Sequence, residues 1–208
     1  MQTMTRTRNS SRNSWNLRPA VAVGGLALSA AFLAALFSDS VAPLIRAAVA
    51  DGTPAPALLS VGAPAPDFTA VAHDGQKLEL SKLKGKWVVL YFYPKDDTTG
   101  CTKEACDFRD NWTTLQKKGV AVFGVSTQDN TSHKAFAAKY NLPFPLLPDD
   151  KGELAAKYKV PLMGGLARRI TYLIGKDGKI AHVWPTVNPV GHAGEILSQI
   201  EPTAARTP

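Results

Sequence analysis

The sequence predicts an α/β sandwich, a central mixed sheet flanked by helices. Three observations predict it. Trp87–Tyr93 and Val120–Ser126 are continuous apolar, β-branched or aromatic runs of strand length, the pattern of buried strands. Polar segments of helical character alternate with such runs. Asp74-Gly75 and Lys176-Asp177-Gly178 each separate two strand-like stretches, as hairpin turns do.

In chain order, residues 1–57 form a leader to the domain. Residues 1–19 are basic with no acidic side chain, and residues 20–37 are an uncharged run of 18 residues. Basic then apolar is the layout of an export signal or a membrane anchor. As a helix that run spans roughly 27 Å, too close to the hydrocarbon thickness to separate an uncleaved anchor from a cleaved signal. An organellar transit peptide is a third reading. Membrane anchoring by residues 20–37, or export to the periplasmic side, is favoured over a cytoplasmic location. Pro54, Pro56, Pro64 and Pro66 mark a linker.

The domain is expected over residues 58–202. Asp67–Ala72 and Lys77–Leu80 form a first hairpin, and Ser81–Gly85 connects it to the strand Trp87–Tyr93. A helix over Thr102–Lys118 follows, uninterrupted by Gly or Pro until Gly119. After strand Val120–Ser126 come a helix over Asn130–Tyr140, a short strand Phe144–Leu147 and a short helix Gly152–Tyr158. Strands Arg169–Ile174 and Lys179–Trp184 flank the second hairpin turn, and Gly191–Ile200 closes the domain as a helix. Residues 203–208 read as a loose tail.

The net charge of +7 raises nucleic acid as a partner. Residues 1–50 account for +4 of it, with Arg6, Arg8, Arg12, Arg18 and Arg46 against Asp39. The remaining +3 is expected to be spread without a basic cluster, so no nucleic-acid partner is expected. The two cysteines are too few for a disulfide scaffold or a four-thiolate zinc site. His73, His133, His182 and His192 lack ligand spacing and read as surface or structural, and no metal or cofactor is expected.

Both cysteines lie in Pro94–Cys106, between the strand Trp87–Tyr93 and the helix after it. Cys101 therefore sits at a helix start, where free backbone N–H groups and the positive helix end stabilise an anionic sulfur. Thr98 can place a hydroxyl beside that sulfur, and Pro94 stiffens the way into the loop. A buried structural thiol is the bland alternative for Cys101.

Pro94, Thr98 and Cys101 match the Pro-x-x-x-Thr-x-x-Cys signature of the peroxiredoxins, and a second Cys five positions on resembles the bacterioferritin comigratory protein (peroxiredoxin Q) subfamily. The resemblance runs from about Val61 to Ile200. Thr99 departs from it, standing where the subfamily often carries Pro, which affects loop rigidity more than chemistry. The resemblance implies a thioredoxin-like fold in its peroxiredoxin form. It implies thiolate attack by Cys101 on the O–O bond of hydrogen peroxide or an organic hydroperoxide, giving a sulfenic acid. Cys106 would condense with it to an intramolecular disulfide, recycled by thioredoxin or a similar dithiol; an inert helix cysteine is the alternative. Arg169 would hold the thiolate and polarise the peroxide, unless it is a solvated charge. Its neighbour Arg168 should face the other side of the strand. Glu104 would orient Arg169 or lie on the surface as an unpaired carboxylate. A monomer is expected.

Two other functions compete. A general thiol–disulfide oxidoreductase would use Cys-x-x-Cys. A membrane-anchored copper-binding assembly factor would use Cys-x-x-x-Cys and a distal His. Four residues separate Cys101 from Cys106, which fits neither, and the copper-binding reading also leaves Pro94, Thr98 and Cys101 without a role as a set.

Overall fold

In a computed structural model the described residues are 57–200; the basic and apolar segment 1–37, the start of the linker as far as Pro56 and the tail 203–208 fall outside them. A five-stranded mixed sheet forms the middle layer. Its centre is β3 (Trp87–Phe92), parallel to β4 (Val120–Ser126) on one side and antiparallel to β8 (Ile170–Ile174) on the other. β5 (Leu146–Pro148) extends the parallel side, and β9 (Ile180–Trp184) pairs antiparallel with β8 across the predicted hairpin.

Alternation along β3 supplies both cores. Val88, Leu90 and Phe92 meet Phe68, Tyr158 and Tyr172 on one face. Val89, Tyr91 and Tyr93 meet Phe108, Phe136, Phe144 and Ile196 on the other. A strand buried on both faces must be apolar throughout, and all six of these side chains are at most 1% exposed. The first face is covered by the hairpin β1 (Thr69–Val71) and β2 (Lys77–Glu79), a 3-10 turn at Leu80–Leu83 and α4 (Glu153–Lys157). The second is covered by α1 (Thr99–Asp110), α2 (Trp112–Lys117), α3 (Asn130–Tyr140) and α5 (His192–Ile200).

The structure corrects four expectations. The helix predicted over Thr102–Lys118 starts earlier, at Thr99, and breaks at Asn111. There both the backbone N–H and the side-chain amide donate to the Asp107 carbonyl, so a local Asn bond competes with the helix ladder. Arg169 lies just before β8 instead of beginning it. A further hairpin, β6 (Leu162–Met163) and β7 (Leu166–Ala167), precedes Arg169. It turns on Gly164 and Gly165, both at positive φ, but its two-residue strands are too short to show alternation. Finally, the domain's positive charge is not evenly spread. The starts of β3 and β4 and the β8–β9 turn lie at one end of the sheet, and lysines crowd each of them.

Among the described residues no helix is long and apolar enough to cross a membrane.

Candidate active site

The site lies at the other end of β3. The strand delivers Pro94–Thr98 as a loop in which Asp97 takes a left-handed conformation, φ 57°. Two carboxylates fasten this loop to α3. Asp96 is buried and accepts from Tyr93 Oη at 2.7 Å and Ser132 Oγ at 2.6 Å, and lies 2.8 Å from His133 Nδ1. Asp97 accepts from Lys139 Nζ at 2.6 Å and from Tyr140 Oη at 2.6 Å. Burial pushes Asp96 up, but the bonds from His133, Ser132 and Tyr93 outweigh it and hold the carboxyl below its usual range.

Thr98 is the N-cap of α1, with extended backbone and no side-chain cap. The first intrahelical bond runs from Thr102 N–H to the Thr98 carbonyl at 2.8 Å. Cys101 is thus the third residue of the helix, among the amides that lack an intrahelical acceptor. Its thiol is 1% exposed. The Thr98 hydroxyl donates to the Lys95 carbonyl at 3.1 Å.

Arg169 brings the site together. Its Nη2 stands 3.1 Å from Cys101 Sγ, and its Nη1 donates to Glu104 Oε2. The surface alternative for Glu104 is excluded, since the residue is fully buried. Cys101 and Glu104, three apart on α1, share one helix face and so meet one guanidinium. Burial raises Glu104 to about 7 against the pull of Arg169. Burial also lowers the Arg169 pKa, but the negative charge of Glu104 and the bond to Cys101 prevail and raise it. Arg168 is exposed; it lies with Arg169 between β7 and β8, outside any strand. Cys106 lies in α1 as well, half-buried, and both cysteines are free thiols.

Sequence reasoning missed three contributors. Gly100 lets Arg169 approach, because a Cβ there would stand 3.3 Å from Nη2 and 3.8 Å from Pro189 Cγ. Tyr91 lies beneath the site with its hydroxyl buried and unpartnered among the described residues, and burial, then the charges of Glu104 and Cys101, hold it protonated. The anchoring of Asp96 by His133 left one readable trace, a pair of acids inside an otherwise functional loop.

A buried thiol in the first helical turn, bridged by a guanidinium to a buried carboxylate on a thioredoxin-like sheet, defines a thiol-dependent peroxidase. Residues 61–183 match the AhpC/TSA family, and the chain belongs to it. It is 46% identical to "Putative peroxiredoxin bcp" of Coxiella burnetii over 68% of this chain and 99% of that one. It is 46% identical to chloroplastic peroxiredoxin Q of Triticum aestivum over 69% of this chain and 67% of the relative. Among solved structures, peroxidoxin BcpB from Mycobacterium tuberculosis superposes with a TM-score of 0.65 at 32% identity, covering 71% of this chain and 99% of that one. The relatives are thus those of the bacterioferritin comigratory protein and peroxiredoxin Q group. Membership implies a peroxide substrate and a thioredoxin-type reductant. Neither competing function is favoured.

Proposed function

We propose that Cys101 is the thiolate that attacks the peroxide and that Cys106 resolves the product. One observation carries this reading: Arg169 donates to Cys101 Sγ at 3.1 Å while Glu104 fixes the other arm of the guanidinium. The sulfur attacks the terminal peroxide oxygen, the O–O bond breaks, and the leaving oxygen takes a proton to depart as water or an alcohol. Arg169 stabilises charge on both sulfur and departing oxygen. The Thr98 hydroxyl spends its proton on Lys95, so its oxygen is free to accept the peroxide O–H. Pro94 keeps the loop in register. The sulfenic acid on Cys101 then condenses with the Cys106 thiol, releasing water and leaving a disulfide for an external dithiol to reduce.

Organic hydroperoxides belong to the proposed range. The alkyl peroxide reduction activity of the Xanthomonas campestris bacterioferritin comigratory protein, whose solved structure is 31% identical in sequence, supports this. We further propose that the domain acts as a monomer and that residues 1–57 serve anchoring or export only. A chain beginning at Leu58 should then keep full activity.

Mass spectrometry of the peroxide-treated chain tests the central claim. The expected product is an intramolecular Cys101–Cys106 disulfide, and Cys106→Ser should stop at a sulfenic acid on Cys101 that dimedone traps. A product that is chiefly a disulfide-linked dimer would make Cys106 a bystander.

A further inference from the structure

We propose that the end of the sheet opposite the active site is a docking surface for an anionic lipid bilayer. Topology builds it. β3 and β4 are parallel and start there, while β8 ends there and turns into β9. Gly85 N–H bonds the Lys176 carbonyl at 2.9 Å, and Trp87 N–H bonds the Gly119 carbonyl at 3.2 Å, so segments far apart in sequence meet in one rim. The rim exposes Lys84, Lys86, Lys117, Lys118, Lys176 and Lys179. Asp177 is the one acid within these segments. Asp67 lines the same pocket as Lys84, Lys86 and Lys179. Residues 57–200 hold 18 Lys and Arg against 14 Asp and Glu, net +4, and the rim with both acids counted is +4, so the rest is neutral.

Three observations favour a lipid surface over nucleic acid. All six cations are Lys, point charges suited to diffuse anionic headgroups, and none is the planar Arg of base or phosphate recognition. The one aromatic at the rim, Trp87, is half-buried at the start of β3 beside Val61, Lys176 and Lys179, an amphipathic ring of the kind that sits at a membrane interface, not a run of exposed stacking platforms for successive bases. The chain also joins the domain here. Gly62 N–H bonds the Ile180 carbonyl at 2.8 Å and Ala65 N–H the Gly178 carbonyl at 3.0 Å, with Val61 63% exposed beside them. With this rim on a bilayer, the length of β3, about 17 Å, separates the lipid from the Pro94–Cys101 loop. The peroxide site then faces solvent. The inference adds to the anchoring proposed for residues 20–37 and does not require it.

The test uses the full chain with vesicles of phosphatidylcholine alone or with about 30% phosphatidylglycerol, labelled by an amine-acylating reagent and read by mass spectrometry. On the anionic vesicles Lys84, Lys86, Lys176 and Lys179 should label at least about threefold more slowly than on neutral ones, while Lys95 and Lys103 near the active site are unchanged. Salt at about 0.5 M should abolish the difference. The triple variant Lys84→Glu/Lys86→Glu/Lys179→Glu should lose the protection and keep wild-type peroxidase activity. Retention on neutral vesicles at high salt reads the apolar segment separately, so either idea can fail alone. Equal labelling on both vesicle types would overturn the proposal. So would stronger protection of the same lysines by duplex DNA than by the anionic vesicles.

Discussion

Asp107 accepts the amide N–H of Ala193 at 2.7 Å, so the residue after Cys106 caps the helix α5. The site helix is thereby tied to the C-terminal helix by one carboxylate. Asp107→Ala should lower stability by about 1 kcal/mol, and Asp107→Asn, which keeps an acceptor, by less. Hydrogen exchange at Ala193 should quicken in the Ala variant. Trp184, whose ring meets His192 at 5.2 Å, gives a fluorescence readout of the same helix end.

Arg169 acts through a fork, not through charge alone. Arg169→Lys retains the cation but cannot hold Cys101 and Glu104 at once, and should slow peroxide reduction on the order of 10²–10³-fold. Gly100→Ala tests the same geometry from the other side. Its new Cβ, 3.3 Å from Nη2, would push the guanidinium away and should cost roughly tenfold or more with both cysteines intact. Steady-state rates on both variants decide this; a wild-type rate for Arg169→Lys would remove Arg169 from the mechanism.

Glu104 gives the site a pH dependence. Burial raises its carboxyl to about 7, so the folded protein binds this proton more tightly than the unfolded chain does. The resulting stability is complete below the usual Glu value near ~4.3 and fades as pH climbs through about 7. Activity should move the opposite way, because the ionised carboxylate is what clamps Arg169. A rise in kcat/KM centred near 7 is expected, and Glu104→Gln should remove that limb and hold the rate at its acidic level. An unchanged profile in the variant would assign the limb to another group.

The sheet was legible because its central strands must be apolar on both faces: Trp87–Tyr93 and Val120–Ser126 can be little else. The helix Asn130–Tyr140 was legible end to end, its start marked by Asp129, which caps it through Ser132 N–H at 2.8 Å. Boundaries that depend on a single side-chain bond were not, as Asn111 shows. In the site, Cys101 and Arg169 could be found by motif and charge. The Gly100 approach and the His133–Asp96 contact could not, because each depends on which segments meet in space. The lysine rim is the same lesson on a larger scale: its members span Lys84 to Lys179, and only the strand directions unite them.

Asp96 carries the acid limit of the fold. Its carboxyl titrates below the usual range, so its contribution is present above ~4 and disappears as pH falls through the lower folded value. Asp96→Asn should cost about 3 kcal/mol at neutral pH, since it leaves Ser132, Tyr93 and His133 without their shared charge. The gap from wild type should narrow in acid. Denaturant melts at neutral pH and near pH ~3 would measure it, and a constant gap would mean that the carboxylate's charge is not what stabilises the loop.

The disulfide cannot form on the structure as it stands. Cys101 and Cys106 both belong to α1. Five helical residues advance ~7.5 Å and turn by ~140°, placing the Cα atoms roughly 8–9 Å apart with diverging side chains. A disulfide needs Cα atoms within ~7 Å and converging Cβ atoms. The helix must therefore open, and the fastenings say where. Beyond Cys106 it is held by Asp107 on Ala193 N–H and by Arg109 on the Tyr140 carbonyl at 2.9 Å. Before Cys106 the hold is Arg169 on Cys101 and Glu104, and its contact to Cys101 rests on the sulfur that oxidation changes; Thr98 makes no side-chain cap and the Thr102 hydroxyl is buried without a partner among the described residues. Opening should start in the turn from Thr99 to Ala105, drawing Cys101 out of its buried place toward Cys106, and the resolving step is then limited by local unfolding. Peroxide should lower the helical circular dichroism signal and a dithiol should restore it. Cys106→Ser should show no such loss. Amide exchange should quicken across residues 101–106 on oxidation; identical protection in the reduced and oxidised chain would defeat this mechanism.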